Sequence, residues 1–182
     1  TRISIENLKS YFNNNGYFDS EISSSVEVYE KNKNFGKIIY NIKPGNQYYL
    51  DSIKTNIDSK LLDSIYTYNN KNSFLKKNNP FNTIDFESER NRINELFKNS
   101  GIYNFQISSI SFEVSRDTSG VDLRIPVKIN ILENNNQSTN YRYKIHRVKK
   151  INLYTSDPQK LSSSDFKNVI IHDSIHIYSN GK

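Results

Sequence analysis

The feature that most constrains this chain is a short unit that occurs twice. Leu8, Tyr11, Phe12, Asn14, Gly16 and Phe18 stand 85 positions before Ile93, Leu96, Phe97, Asn99, Gly101 and Tyr103. Each copy reads as the end of a helix: apolar residues at helical spacing, then N-x-G, then an aromatic, then an alternating stretch. In the second copy, Phe86, Ile93, Leu96 and Phe97 share one helical face within Ile84–Tyr103. Thr83 or Asp85 is placed to cap that helix, and Asp85, Glu87 and Glu89 suit its positive N-terminal dipole. Gly101 sits where a left-handed residue closes a helix. In the first copy, Ser4 is placed to cap a helix within residues 1–18, with Leu8, Tyr11 and Phe12 inward and Gly16 stopping it.

Between and beyond these helices the pattern changes to strands. Ile22, Val26 and Val28 alternate with polar residues, which predicts a strand at Glu21–Tyr29. The turn K-N-K-N-F-G then leads to a hairpin partner at Lys37–Lys43. Gln47–Ile57 carries Tyr48, Leu50 and Ile53, and the step of three predicts a bulge. Asp58 or Ser59 opens a helix bearing Leu61, Leu62 and Ile65. Past the long helix, Ile107, Ile110, Phe112 and Val114 predict a strand. Val121–Ile131 then alternates over six steps, although Pro126 would remove a ladder donor from a central strand. The Asn-rich segment Glu133–Asn140 reads as a linker. Tyr143, Ile145 and Val148 repeat the Tyr48, Leu50, Ile53 pattern 95 positions later, and Val169–Tyr178 predicts one more strand.

Composition narrows the function classes. With 13 Tyr and 10 Phe in 182 residues, small cores can be built from aromatic rings despite a hydrophobic content of 35%. The absence of Cys excludes thiol nucleophiles, disulfides and zinc ribbons. No apolar run approaches the ~20 residues that span a bilayer as a helix. The chain opens T-R-I-S and contains no Met, so the expectation is a piece of a longer protein. His172 and His176 have metal-ligand spacing for a helix, but V-I-I-H-D-S-I-H-I-Y is β-rich and offers no third ligand. The serines lack a G-x-S-x-G elbow and there is no phosphate loop, so neither catalysis, a cofactor nor a metal is expected.

Collected, the elements form one complete strand–helix–helix–strand–strand module at 46–134. The second half of the same plan precedes it at 1–45, and the start of another follows at 141–182. The fold class is α+β: a three-stranded mixed sheet with both helices on one face. The other face is solvated by Asp122, Arg124, Lys128 and Asn130. The chain resembles the polypeptide-transport-associated (POTRA) domains of the BamA/TamA family of outer-membrane barrel assembly factors. The resemblance rests on P-F-N…E-R-N-R-I-N-E-L-F-K-N-S-G-I-Y-N-F at Pro80–Phe105 and L-K-S-Y-F-N-N-N-G-Y-F at Leu8–Phe18. P-G-N-Q-Y-Y-L-D-S-I at Pro44–Ile53 and Y-K-I-H-R-V at Tyr143–Val148 add to it. Ile102, where the family usually shows Tyr, and Pro126 depart from the pattern.

That resemblance implies a non-enzymatic arm on the periplasmic side of the outer membrane of a Gram-negative bacterium. It implies unfolded outer-membrane clients, accessory assembly proteins and a C-terminal membrane β-barrel outside this chain as partners. Anionic lipid headgroups are a further partner for the net charge of +6. With Val121–Ile131 central, Ile107, Ser108, Ser109, Ile110, Ser111 and Phe112 form an edge strand that can bind a client peptide by β-augmentation. Glu21–Tyr29 is a second edge, and Glu21, Glu27 and Glu113 could instead guard these edges against aggregation. Two other functions compete. Arg142, Lys144, His146, Arg147, Lys149 and Lys150 beside Tyr141 and Tyr143 could hold nucleic acid, but no known binding motif accompanies them and nucleic acid is not expected. The modules could also act as a structural spacer between partner subunits.

Overall fold

The structure, a computed structural model, describes residues 2–28, 35–119, 121–132, 143–154, 168–172 and 174–179. The chain divides into two compact units, Thr1–Lys144 and Ile145–Lys182. The first unit opens with helix α1 (Arg2–Asn14) and the antiparallel hairpin of β1 (Glu21–Val28) and β2 (Gly36–Lys43). Strand β3 (Tyr49–Ile57), helices α2 (Lys60–Tyr68) and α3 (Thr83–Asn99), and strands β4 (Ile110–Val114) and β5 (Arg124–Ile131) follow. The second sheet runs β3-β5-β4, with β3 parallel and β4 antiparallel to β5. This is the α+β plan that the periodicity predicts, with the longest alternating stretch in the middle.

One sheet face carries the core. Leu50, Ile125, Val127, Ile129, Ile131 and Ile110 meet Leu62 and Tyr66 of α2 and Phe86, Ile93 and Phe97 of α3. Both helices therefore lie on that face. The opposite face is polar, with Arg124 and Lys128 exposed. Asn130 departs from the expected solvated position. It is buried, because it accepts from Asn56 Nδ2 at 3.0 Å and donates to Glu113 Oε1 at 2.8 Å across all three strands. Val121 lies outside the strand and is exposed.

The expected bulge lies between Leu50 and Ile53, where the register against β5 shifts. Pro126 is accommodated by parity. Its carbonyl accepts from Ser115 N at 3.4 Å, so its missing donor also falls on the β4 side, just past Val114 where β4 ends. No interior ladder bond is lost there.

The repeated helix ends are the same backbone motif. Gly101 N donates to Lys98 O and Ile102 N to Phe97 O, both at 3.0 Å. Gly16 N donates to Asn13 O at 3.1 Å and Tyr17 N to Phe12 O at 2.9 Å. Both glycines have positive φ, +82° and +92°, as a Schellman closure requires. The helix starts differ from expectation. The cap of α3 is Asn82, whose side chain accepts from Ile84 N at 2.8 Å, because Asn82 is the last extended residue before the first turn. Helix α1 begins at Arg2, which places Ser4 inside it. None of its residues is fully buried and Tyr11 is 63% exposed, because α1 packs chiefly on β1 of a narrow two-stranded sheet.

Glu89, assigned to the helix dipole by its position, is instead wholly buried. Its carboxylate accepts from Arg92 Nε at 2.8 Å and from another Arg92 nitrogen at 2.6 Å. It also accepts from Phe74 N at 3.0 Å and Tyr66 Oη at 3.4 Å.

A joint ties the α1 segment to the second sheet. Gly16 O accepts from Tyr48 N at 2.9 Å, and a Cβ on Gly16 would stand 3.1 Å from Phe81. The Phe18 ring lies 5.3 Å from Tyr48 and 5.1 Å from Phe81. Arg116 spans the rings of Phe18 and Tyr48, 5.0 and 5.6 Å from their centroids, and pairs with Asp19 at 3.1 Å. Tyr48 Oη also donates to Asp19 at 3.1 Å. Burial and this hydrogen bond push the Tyr48 hydroxyl above its ordinary pKa.

The second unit repeats the pairing rule on a smaller scale. Strands β6 (Ile151–Tyr154), β7 (Asn168–His172) and β8 (Ile175–Ser179) run β6-β8-β7, with β6 parallel and β7 antiparallel to β8. The strand expected through Tyr143, Ile145 and Val148 does not form. Residues 143–150 are irregular and Val148 is 74% exposed. Tyr143 is held by the first unit instead, its ring 5.5 Å from Phe105 and its hydroxyl 3.3 Å from Ser109 Oγ. The expected strand Val169–Tyr178 is a hairpin of two, and His172 and His176 lie on its neighbouring strands rather than on one helix face. The linker expected at Glu133–Asn140 lies outside the described residues.

Candidate binding edge

The six residues expected to bind a peptide divide into two local structures. Ile107, Ser108 and Ser109 form a 3-10 turn rather than strand. Ser109 N closes that turn on Gln106 O at 3.0 Å, and Ser109 itself is buried. The sequence holds the reason: Ile107 to Ile110 is a step of three, which a 3-10 turn satisfies and a strand does not. Ile110, Ser111 and Phe112 are strand, and β4 continues to Val114.

Strand β4 lies at the edge of the sheet, and its backbone alternates in a way the flanking bonds define. Leu132 N donates to Ser109 O at 3.1 Å and Ser115 N donates to Pro126 O at 3.4 Å. Ser109 and Ser115 thus face β5, as do Ser111 and Glu113 between them at the same parity. Ile110, Phe112 and Val114 turn away from β5; the Ile110 N–H closes the 3-10 turn on Ile107 O, so the open donors are those of Phe112 and Val114. Among the described residues no other strand pairs with them. These three residues also point their side chains to the helical face of the sheet, so the open backbone borders an apolar flank.

That flank is built by α3. The Phe112 ring lies 5.3 Å from Phe86, and the Arg90 guanidinium lies 5.3 Å from the Phe112 centroid. Arg90 is ion-paired to Glu87 one turn earlier. Val114 remains 47% exposed. Glu113, weighed as a guard on this edge, is engaged on the polar face with Lys128 at 3.5 Å and with Asn130. The turn into β5 is held by Asp117, whose carboxylate accepts from the hydroxyl and amide of Ser119 and the amide of Asp122. Those bonds hold the Asp117 carboxyl below the usual carboxylate range.

The opposite edge is partly closed by the chain itself. Asn78 N donates to Leu50 O at 2.8 Å, Leu50 N to Asn79 O at 2.9 Å, and Phe81 N to Tyr48 O at 2.9 Å. Tyr49 and Pro80 form an antiparallel bridge within this strip. Periodicity could not show it, because N-N-P-F carries no strand pattern. Among the described residues no three His, Cys, Asp or Glu side chains gather as a metal site, and no helix is long and apolar enough to cross a membrane.

No protein-family model and no curated protein matches the sequence. Three solved structures are similar to this chain. One is POTRA3-5 of BamA from Haemophilus influenzae, at 15% identity and TM-score 0.41 over 98% of this chain and 78% of that one. Another is BamA from Haemophilus ducreyi lacking POTRA domains 1-3, at 13% identity and TM-score 0.43 over 72% of this chain and 22% of that one. A third is POTRA1-3 of the periplasmic domain of Omp85 from Anabaena, at 15% identity and TM-score 0.37 over 72% of this chain and 49% of that one.

Proposed function

We propose that this chain is part of a POTRA-type arm of an outer-membrane protein assembly or translocation factor, standing on the periplasmic side of the outer membrane. It binds client or partner polypeptides by strand addition and performs no chemistry of its own. The modules follow the sequence as 1–45, 46–134 and 141–182. Partners are unfolded outer-membrane clients, accessory assembly proteins and a β-barrel carried elsewhere in the parent protein. Anionic headgroups are met by the exposed cations of Lys144–Lys150.

The observation that carries this reading is the outward backbone of Phe112 and Val114, with the Ile110 carbonyl, beside the apolar flank of Phe86 and Phe112. Main-chain pairing of this kind accepts many client sequences, since side chains contribute only through alternate pockets. An extended peptide of alternating apolar residues is expected to shift the amide signals of Phe112 and Val114 in the labelled chain. Val114→Pro, which removes an outward donor at a half-exposed side chain, is expected to weaken the response of Phe112. If saturating peptide leaves both signals in place, strand addition at this edge is wrong.

A rigid spacer is the second reading, favoured by the joint of Phe18, Tyr48 and Arg116. Its mark is a fixed angle across that joint with no peptide response at either sheet edge.

A further inference from the structure

The far edge of the sheet carries a different slot. The strip Asn78–Phe81 covers this edge only from Tyr48 to Leu50, and the chain turns away from it through Lys76 and Lys77. A cavity of about 510 Å³ opens there, between Ile53 and Thr55 of β3 and the facing segment of Ser73 and Leu75.

Strand parity again gives the backbone direction. Asp58 N donates to Ile131 O at 3.3 Å, on the β5 side, and Asn56 and Lys54 share its parity. Ile53 and Thr55 therefore turn their N–H and C=O groups into the cavity. The facing wall is fixed from the core. Glu89 accepts from Phe74 N, and Ser73 Oγ accepts from Leu75 N at 3.2 Å. Tyr66 and Leu75 add buried apolar lining.

The lining is also basic. Lys77 is paired with Asp51 at 3.3 Å. Lys71 and Lys76 are exposed, and among the described residues neither has a carboxylate within ion-pair distance. A ladder edge, an apolar lining and two uncompensated ammonium groups thus meet in one slot.

We propose that this slot binds an extended peptide segment bearing carboxylates, its backbone adding to β3 at Ile53 and Thr55 and its acidic side chains meeting Lys71 and Lys76. The proposal goes beyond the β4 reading and does not depend on it. The test uses the full labelled chain and a soluble peptide alternating valine and glutamate, beside the same peptide with lysine in place of glutamate. The glutamate peptide is expected to shift the amides of Ile53 and Thr55 and to bind about tenfold more tightly than the lysine peptide at low salt. The double substitution Lys71→Glu and Lys76→Glu is expected to remove that preference while the response of Ile110–Val114 is unchanged. Three results overturn the proposal: shifts confined to β4, equal binding of the two peptides, or the same shifts from a short oligonucleotide. Failure at Ile53 and Thr55 with a response at Ile110–Val114 leaves the β4 function standing.

Discussion

Glu89 lies three residues after Phe86 and four before Ile93, so the spacing that predicts the apolar stripe of α3 also places a carboxylate inside it. By charge alone Glu89 suits the helix dipole, but its helical phase sets it in the buried stripe. Glu87 and Arg90 repeat the spacing of Glu89 and Arg92, and only helical phase separates a solvated pair from a buried one. Burial of the carboxylate is offset by the two-pronged Arg92 contact and by Phe74 and Tyr66. In turn, burial and the nearby Glu89 charge push the Tyr66 hydroxyl from 10.0 up to about 12. The sign follows directly. Below pH 10 both folded and unfolded chains keep the proton and the native state retains its full stability. Between pH 10 and 12 the unfolded chain releases it first, so stability falls by up to about 3 kcal/mol from this residue. Urea titrations across that range should show Tyr66→Phe losing less stability than the parent. Equal alkaline losses would remove Tyr66 as their source.

Among the elements, the helix ends were the most legible, because a Schellman closure needs a glycine at one fixed place and N-x-G marks it twice. The bulge in β3 was legible for a similar reason: an apolar step of three cannot stay on one face of an unbroken strand. The same step at Ile107–Ile110 predicts strand, since a single turn of 3-10 helix leaves no periodicity to count. Tyr143 shows a different limit. Its pattern matches Tyr48, yet its ring is captured by Phe105, a contact between residues far apart in the chain. Within the candidate binding edge, the position of β4 could be inferred from the longer alternation of β5. The strip over the other edge could not, because Asn78–Phe81 binds through backbone alone. Gly16 combines a helix closure with the joint. Gly16→Ala is therefore expected to destabilise the first unit by about 1–3 kcal/mol in chemical denaturation, through both the positive φ and the Phe81 contact. A loss within error of zero would mean that the joint yields to a methyl group.

For the molecule as a whole, the joint decides whether the α1 hairpin and the second sheet move as one body. Arg116 touches both sides of it at once, through two rings and Asp19, and each contact of this kind contributes about 0.5–1 kcal/mol. Arg116→Ala should leave thermal stability within a few degrees of the parent while loosening the angle. Residual dipolar couplings would show it: one alignment tensor fits β1–β2 and β3-β5-β4 in the parent, and two are needed in the variant. A single tensor in both proteins removes Arg116 as the clamp. The order of strands carries one more consequence. In each three-stranded sheet the middle strand is the last in sequence, β5 between β3 and β4, and β8 between β6 and β7. Neither flanking strand has a ladder partner in its sheet until that final segment arrives. A chain threaded amino-terminus first through a narrow passage therefore cannot close the β3-β5-β4 sheet until Arg124–Ile131 has emerged. The same late step then brings β3 and β4 into register together, so both slots come into being at one moment.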